Sequence, residues 1–402
     1  MEGRCLRILI LTERFYPEEF IINDLVTEWS GRQDRIDVLT QVPSYPLGRV
    51  FGGYRNKLFQ KEKRGPVTIY RFFTLLGYQK SLLLKILNYF NFALLGSLAA
   101  VVMGNRYDKV FIYQTGPLTM ALPAVLIHKL YKKELTIWTQ DVWPDTVYAY
   151  GFRKTRLLSF FLDSLVRMVY RSCRNIFVSC EGFIKRIKPY VPGRAIRHFP
   201  NWPLLGRYDH GTRVRLSRKF NFTFAGNIGK VQNLENVIRG FSLAVQSRDK
   251  MQLNLVGDGS YLAYLRDLVK RENVRNVVFW GRKALTEMPG YFNASDVLVI
   301  SLKDNPLFAL TIPSKFQTYL QAGKPIFCIM KGEVKDLVER YGIGLCSRPD
   351  DIKDIRDGFI RFFRMNRTQR SRYSKKSRYL LEWLFNRDKI LADMNNIFWK
   401  QK

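Results

Sequence analysis

Short apolar runs recur along the chain, separated by polar turns and longer amphipathic stretches. A run of this length bounded by turn residues reads as a strand buried on both faces. Such runs fall at residues 7–12, 35–40, 67–72, 109–113, 135–140, 175–179 and 195–199, and again at 220–225, 252–257, 276–280, 297–301, 325–329 and 343–346. Strand alternating with helix predicts parallel sheets covered on both faces. The alternation resets across 200–218, where Pro, Gly, Asn and charged residues follow no apolar period. The fold class expected is therefore α/β, with two doubly wound Rossmann-like domains at 1–205 and 206–372. The remainder, 373–402, with helical segments at 373–383 and 387–400, is expected to pack back on the first domain. A length of 402 residues fits two cores. Ligands of doubly wound sheets sit outside the carboxyl ends of the strands, so the chemistry is sought in the loops there.

Composition then narrows the class. An apolar share of 47% excludes a disordered chain. Sixty-six Lys and Arg against 34 Asp and Glu leave a charge of +32, which implies an anionic partner: nucleic acid, a membrane surface or a phosphorylated substrate. The excess is uneven, with eight Lys or Arg and no acid from Arg361 to Arg378. The segments 153–162 and 80–85 (Lys80 to Lys85) join a basic start to an apolar body, which fits docking on anionic lipid. No nucleic-acid-binding module is recognisable, so nucleic acid is not the expected partner. Residues 86–104, ILNYFNFALLGSLAAVVMG, approach the length of a spanning helix, but Asn88 and Asn91 interrupt them. A first-domain helix, buried or touching a membrane, is expected, with insertion as the alternative. The opening segment reads as a first strand and not a signal peptide, because Glu13 and Arg14 break its apolar run. Five cysteines without metal-binding spacing point to a reducing, cytosolic setting.

Several loops carry candidate chemistry. Gly226-Asn227-Ile228-Gly229-Lys230-Val231-Gln232 lies between a strand and an amphipathic helix, where glycines admit a ligand to the backbone and helix-start amides favour phosphate. The same pattern also fits an ordinary tight connection. Asp258 and Arg282 follow two further strands, and Arg282 would supply a cation for phosphate. In Thr311–Pro325, Ser314 is expected to cap a helix behind Pro313, with Gln317 and Thr318 in its first turns and Gly323 closing it. Lys315 stands in the first turn, where the helix dipole disfavours a cation unless an anion is bound. In the first half, Asp141 and Asp145 flank Trp143, an arrangement suited to positioning a sugar hydroxyl and packing on a ring, and equally suited to capping a helix. The stretch from Tyr16 to Asp24 offers Glu18, Glu19 and Asn23 near the first strand. Metalloprotease, serine-hydrolase and P-loop motifs are absent from the sequence. His128, His198 and His210 lie outside these loops, so histidine catalysis is not expected.

Taken in order, these motifs resemble a GT-B glycosyltransferase of family GT4, similar to the bacterial transferases of capsule and O-antigen assembly such as the fucosamine transferase group. The resemblance runs through the PE-x(4)-ND opening, QDVWPD, VSCEGF, PNW, FAGNIGKVQNLE, LVGDG, ASDVLV and TIPSK-x-Q-x-Y-x-x-AGKPI. It implies two domains facing across a cleft and a retaining transfer from a nucleotide-sugar, with no cofactor and no active-site metal. The donor would be held by Gly226, Asn227, Gly229, Lys230, Gln232, Asp258, Arg282, Pro313, Ser314, Lys315, Gln317 and Thr318. Asp141 and Glu19 would be catalytic, and Asn23, Trp143 and Asp145 would contact the acceptor. The implied partners are a UDP-linked donor, a polyprenyl diphosphate-linked saccharide and the inner face of the plasma membrane, with the protein peripheral and cytoplasmic. The sequence departs from the family in four places. Leu310 and Thr318 stand where a glutamate pair spaced E-x(7)-E is usual, Asn227 replaces an arginine, Phe20-Ile21 replace two glycines, and Gln140 replaces a histidine. A sugar-nucleotide epimerase of the same fold and a non-catalytic donor-binding subunit are the alternatives.

Overall fold

Consecutive apolar residues cannot alternate between core and solvent, so the strands they form must be covered on both sides. In the computed structural model, which describes residues 5–400 apart from 33, 47, 78–80, 150, 205–207, 210, 212, 246–249 and the side chain of 82, this produces two sheets. Lys80, His210 and the 205/206 boundary lie outside the described residues. The chain divides into two units, Met1–Pro200 with Ile390–Lys402, and Asn201–Lys389.

The first unit holds β1 (Arg7–Thr12), β2 (Arg35–Gln41), β3 (Phe59–Arg64), β4 (Val67–Phe72), β5 (Lys109–Gln114), β6 (Glu134–Thr139), β7 (Asn175–Val178) and β8 (Ile196–His198). They form one eight-stranded sheet in the order β3-β4-β2-β1-β5-β6-β7-β8. Every pairing is parallel except β3 with β4. β3 is the strand that sequence reading misses. Its residues, FQKEKR, are polar after Phe59 and largely exposed, as suits a charged edge that resists pairing with another chain. Its Glu62 pairs at 2.7 Å with Arg71, whose side chain is fully buried.

The second unit holds β9 (Phe220–Ala225), β10 (Met251–Val256), β11 (Val277–Gly281), β12 (Val297–Ser301), β13 (Ile326–Ile329) and β14 (Gly344–Cys346). Their order is β11-β10-β9-β12-β13-β14, all parallel. Phe359 sits edge-on to Phe222, Phe241 and Phe327 at 4.8, 5.3 and 5.0 Å, tying helices to the sheet. Burying each such ring contributes roughly 2–3 kcal/mol.

The two terminal helical segments part company. Helix Arg367–Leu384 stays with the second unit, placing Arg370 over the ring of Phe220 at 4.9 Å and Trp383 against Tyr341. Only Ile390–Lys402 joins the first unit. There Phe398 stacks on Trp29 at 4.6 Å, and the Trp29 indole donates to Asn395 Oδ1 at 2.7 Å. The buried apolar residues Leu391, Met394 and Phe398 give that last stretch its face.

Candidate functional site

In the second unit the polypeptide turns sharply at the carboxyl ends of β9 and β10. Gly226 and Gly257 both have positive φ, +135° and +138°, and a Cβ on Gly257 would stand 1.9 Å from the Gly226 carbonyl oxygen. The two turns therefore touch backbone to backbone, a packing closed to residues with a Cβ. Ile228 N–H donates to Asp258 O at 2.8 Å, and Tyr261 N–H to Ile228 O at 3.0 Å. Buried Ile228 anchors the loop, while Gly226, Asn227 and Lys230 are exposed at its surface and Gly229 is covered. The carboxylate of Asp258 accepts the Gly259 amide at 2.8 Å and so braces its own turn.

Helix Ser314–Ala322 brings the cation to this loop. Lys315 Nζ donates to Gln232 Oε1 at 2.7 Å and lies 3.9 Å above the Phe224 ring centroid. It is also 3.3 Å from where a Gly226 Cβ would be. Loss of solvation pushes its pKa down to about 7, since burial penalises the charged form and no carboxylate among the described residues compensates it. Tyr319, fully buried, receives the Ala225 N–H at 2.8 Å and locks the end of β9 to this helix.

The expected cap is corrected: Pro313 occupies the N-cap position and Ser314 is the first helical residue, with no side-chain cap bond. Proline has no side-chain acceptor, so the first-turn amides receive none from it. Buried Gln317, with its amide oriented to suit its neighbours, donates to Pro313 O and Ser314 O at 3.1 and 3.0 Å. Thr318 Oγ1 donates to Ser314 O at 3.4 Å. Both thus support the helix start. Arg282 is exposed just beyond β11. Gly323 ends the helix in the left-handed region.

In the first unit the corresponding edge is acidic. Glu13 follows β1 directly and is almost completely buried, with Oε1 lacking a hydrogen-bond partner among the described residues. Burial raises its pKa to about 7, against the opposing charges of Arg14 and Lys85. Asp141 follows β6, accepts the Thr146 hydroxyl at 2.5 Å, and is likewise raised to about 7 by burial. Gln114 Nε2 links the loops, donating to Gly116 O at 2.6 Å and Asp141 O at 3.0 Å. Lys85, on helix Leu82–Met103, is lowered by burial and raised by Asp141 and Glu13.

The loop after β1 sorts its other residues. Glu18 is buried and accepts the amides of Ser44 and Tyr45 at 2.9 and 2.6 Å, closing the loop. Glu19 beside it is exposed. Both ends of the Asn23 amide are engaged within the loop, with Tyr16 N–H at 3.0 Å and Glu18 O at 2.7 Å. Asp145 pairs with Arg186 at 3.2 Å. Trp143 is half-buried, and its indole N–H has no acceptor among the described residues. Glu13, Lys85 and Tyr319 escaped sequence reasoning as site residues. An acid immediately after the buried strand RILILT was the available signal for Glu13. Among the described residues no group of three or more His, Cys, Asp or Glu could hold a metal ion.

Residues 213–379 match the family model of glycosyl transferases group 1. The chain is 24% identical over 373 residues to WcaI of Escherichia coli (strain K12), which carries the name colanic acid biosynthesis glycosyl transferase, covering 87% of this chain and 90% of that one. It is 24% identical over 265 residues to WbjE of Pseudomonas aeruginosa, named a probable glycosyltransferase, covering 61% and 64%. Among solved structures, Anabaena HepE in complex with UDP and glucose superposes with a TM-score of 0.67 at 12% identity, covering 97% and 98% of the two chains. The sucrose-phosphate synthase of Thermosynechococcus elongatus gives 0.72 at 12% identity, covering 98% of each. The chain thus has the two-domain α/β GT-B fold, and residues 213–379, within its second unit, match the family model of group 1 glycosyl transferases.

Proposed function

We propose that the chain is a retaining, metal-independent glycosyltransferase of the GT4 type, moving a sugar from a UDP-linked donor to a polyprenyl diphosphate-linked saccharide in capsule or O-antigen assembly. It acts in the cytoplasm, peripheral on the inner face of the plasma membrane. One observation carries the donor half of this reading: Lys315, short of solvation and with no carboxylate partner among the described residues, is held at the Gly226 turn beside Gln232. A diphosphate there would supply the missing countercharge and stabilise the protonated amine. The same cation would ease the charge that grows on the leaving nucleotide. The Gly226–Gln232 loop, the Pro313–Ser314 helix start and exposed Arg282 complete the phosphate contacts.

For the acceptor half, Asp141 is the expected acid with a proton to exchange near neutrality, and Glu13 shares that property. Trp143 offers an indole N–H to an acceptor oxygen. Glu19, exposed beside buried Glu18, is the second expected catalytic acid. The relatives named for colanic acid and general glycosyl transfer, and the UDP-bound HepE of the same fold, support the polysaccharide setting and the choice of nucleotide.

A thermal-shift screen against UDP, GDP, CMP and their sugars tests this. Stabilisation by the UDP set at about millimolar ligand is expected from mass action, and no stabilisation by any of them would end the reading. The positions Leu310 and Thr318, which lack the usual glutamates, favour one second reading, a donor-binding subunit without turnover. UDP binding with no UDP release in the presence of lipid-linked acceptor would establish it.

A further inference from the structure

Helix Leu82–Met103 has 22 residues and a single charged side chain, Lys85. Its inner face is seated on the protein. Phe92 and Ala100 are fully buried, and Gly96 lies so close to Pro123 that a Cβ would come within 2.8 Å of the ring. Its two polar interruptions fasten it further. Asn88 Oδ1 accepts Leu75 N–H and the Thr74 hydroxyl at 3.0 and 3.1 Å, and Asn91 Nδ2 donates to Phe73 O at 2.7 Å. The outer face is different: Leu83, Leu87, Phe90, Leu94, Leu98 and Val102 recur at helical spacing and are between 43% and 75% exposed. A single apolar stripe of about 30 Å results.

A second helix, Arg156–Ser172, exposes Leu157, Phe160 and Phe161 at 61–68%. Both helices pack against helix Leu122–Tyr131. The connections β4 to β5, β5 to β6 and β6 to β7 all step the same way across the sheet, so right-handed crossovers put the three helices on one side of it. The two apolar stripes thus face outward from the same side of the first unit.

We infer that these two helices form a monotopic docking surface for an anionic phospholipid bilayer, lying side-on in the headgroup and acyl boundary and not crossing it. Exposed Arg153, Lys154 and Arg156 stand at the head of the second helix, and exposed Arg167 lies two turns beyond Phe160 on the same face. Cations bordering an apolar stripe match an anionic headgroup layer over acyl chains. A second copy of the chain would set like charges against each other across a two-fold interface. Spanning is opposed by geometry, although Leu83–Arg106 is long and apolar enough: the Asn88 and Asn91 bonds and the packing on Pro123 would all have to break. The inference deepens the proposed membrane location but rests on first-unit surfaces alone, independent of the donor.

The test is co-sedimentation of the full chain with vesicles of phosphatidylcholine, alone or with about 30% phosphatidylglycerol. Binding at least about tenfold tighter to the anionic vesicles is expected, with losses of about tenfold or more in F90S/L94S and in F160S/F161S. Trp fluorescence of L94W should be quenched by brominated acyl chains. Unchanged vesicle binding by both serine pairs, or no quenching of L94W, would overturn the inference. So would a dimer that the serine pairs dissociate while vesicles go unbound, or vesicle-bound protein that resists alkaline carbonate. UDP titration of the same variants should stay within about twofold of the parent, as a folding check. Failure of the parent to bind UDP would defeat the transferase reading and leave the docking result standing.

Discussion

The same place in the two sheets is used in opposite ways. β1 lies between β2 and β5, and β9 between β10 and β12, so each is the strand where the winding reverses. The residue after β1 is Glu13, a carboxyl group pressed into the protein; the residue after β9 is Gly226, with no side chain, and the ammonium of Lys315 from another element occupies the room. Loss of water acts on both, raising the acid to about 7 and lowering the amine to about 7. One physical cause thereby places a proton at each site under the control of whatever binds near neutral pH. The units share an architecture, and the side chain at one strand end decides whether a carboxyl group or an ammonium is held there away from water.

Four outcomes would break or sharpen this contrast. The largest concerns the turns. Gly257→Ala should lower the stability of the second unit by about 4 kcal/mol in denaturant unfolding, because the new methyl meets a carbonyl that cannot yield. Gly116→Ala in the first unit meets only the Glu13 carboxylate end and should cost about 1–2 kcal/mol. Equal costs would mean that the second-unit turns are not locked together. Next, Lys315→Met should weaken UDP binding roughly 30- to 100-fold by calorimetry, while Asp141→Asn should change it less than about twofold; comparable losses would remove the division between anion and proton edges.

The third outcome turns on linkage. Because Glu13 holds its proton more tightly folded than unfolded, its contribution is present at pH below about 4.5 and is lost as pH rises through about 7. Glu13→Gln should therefore raise stability by about 2 kcal/mol at pH 8 and change it little at pH 4. A melting-temperature shift independent of pH would show that the acid is not buried as described. The smallest effect is on donor binding. With Lys315 at about 7 when free, UDP-glucose affinity should fall by up to about tenfold per pH unit above 7, as binding must then take up a proton. Lys315→Met should bind with no such slope.

Much of the fold was legible because buried parallel strands must be written as apolar runs. Every apolar run on either side of 200–218 became a strand, within a residue or two. β3 was not legible, since an edge strand needs no apolar pattern and its residues read as a charged loop. The site was legible in part. Glycine turns and a first-turn lysine mark themselves by being costly without a reason, and both meet at the Gly226 turn. Which of two adjacent glutamates is buried could not be read: Glu18 and Glu19 are chemically alike in sequence, and only the path of the loop to Ser44 and Tyr45 separates them. Gln317 had the composition of a ligand contact, yet the helix turns it inward.

The sequence by itself determined two α/β series, their strand positions, the excess of positive charge and the glycine and proline punctuation, because each of these is a local or periodic property. Tertiary structure alone decided that Lys315 reaches Gln232, 83 residues away, that Glu13 and Asp141 lose their water together, and that one face of Leu82–Met103 stays uncovered. Solvation depends on what the rest of the chain brings alongside, and no window of sequence contains that.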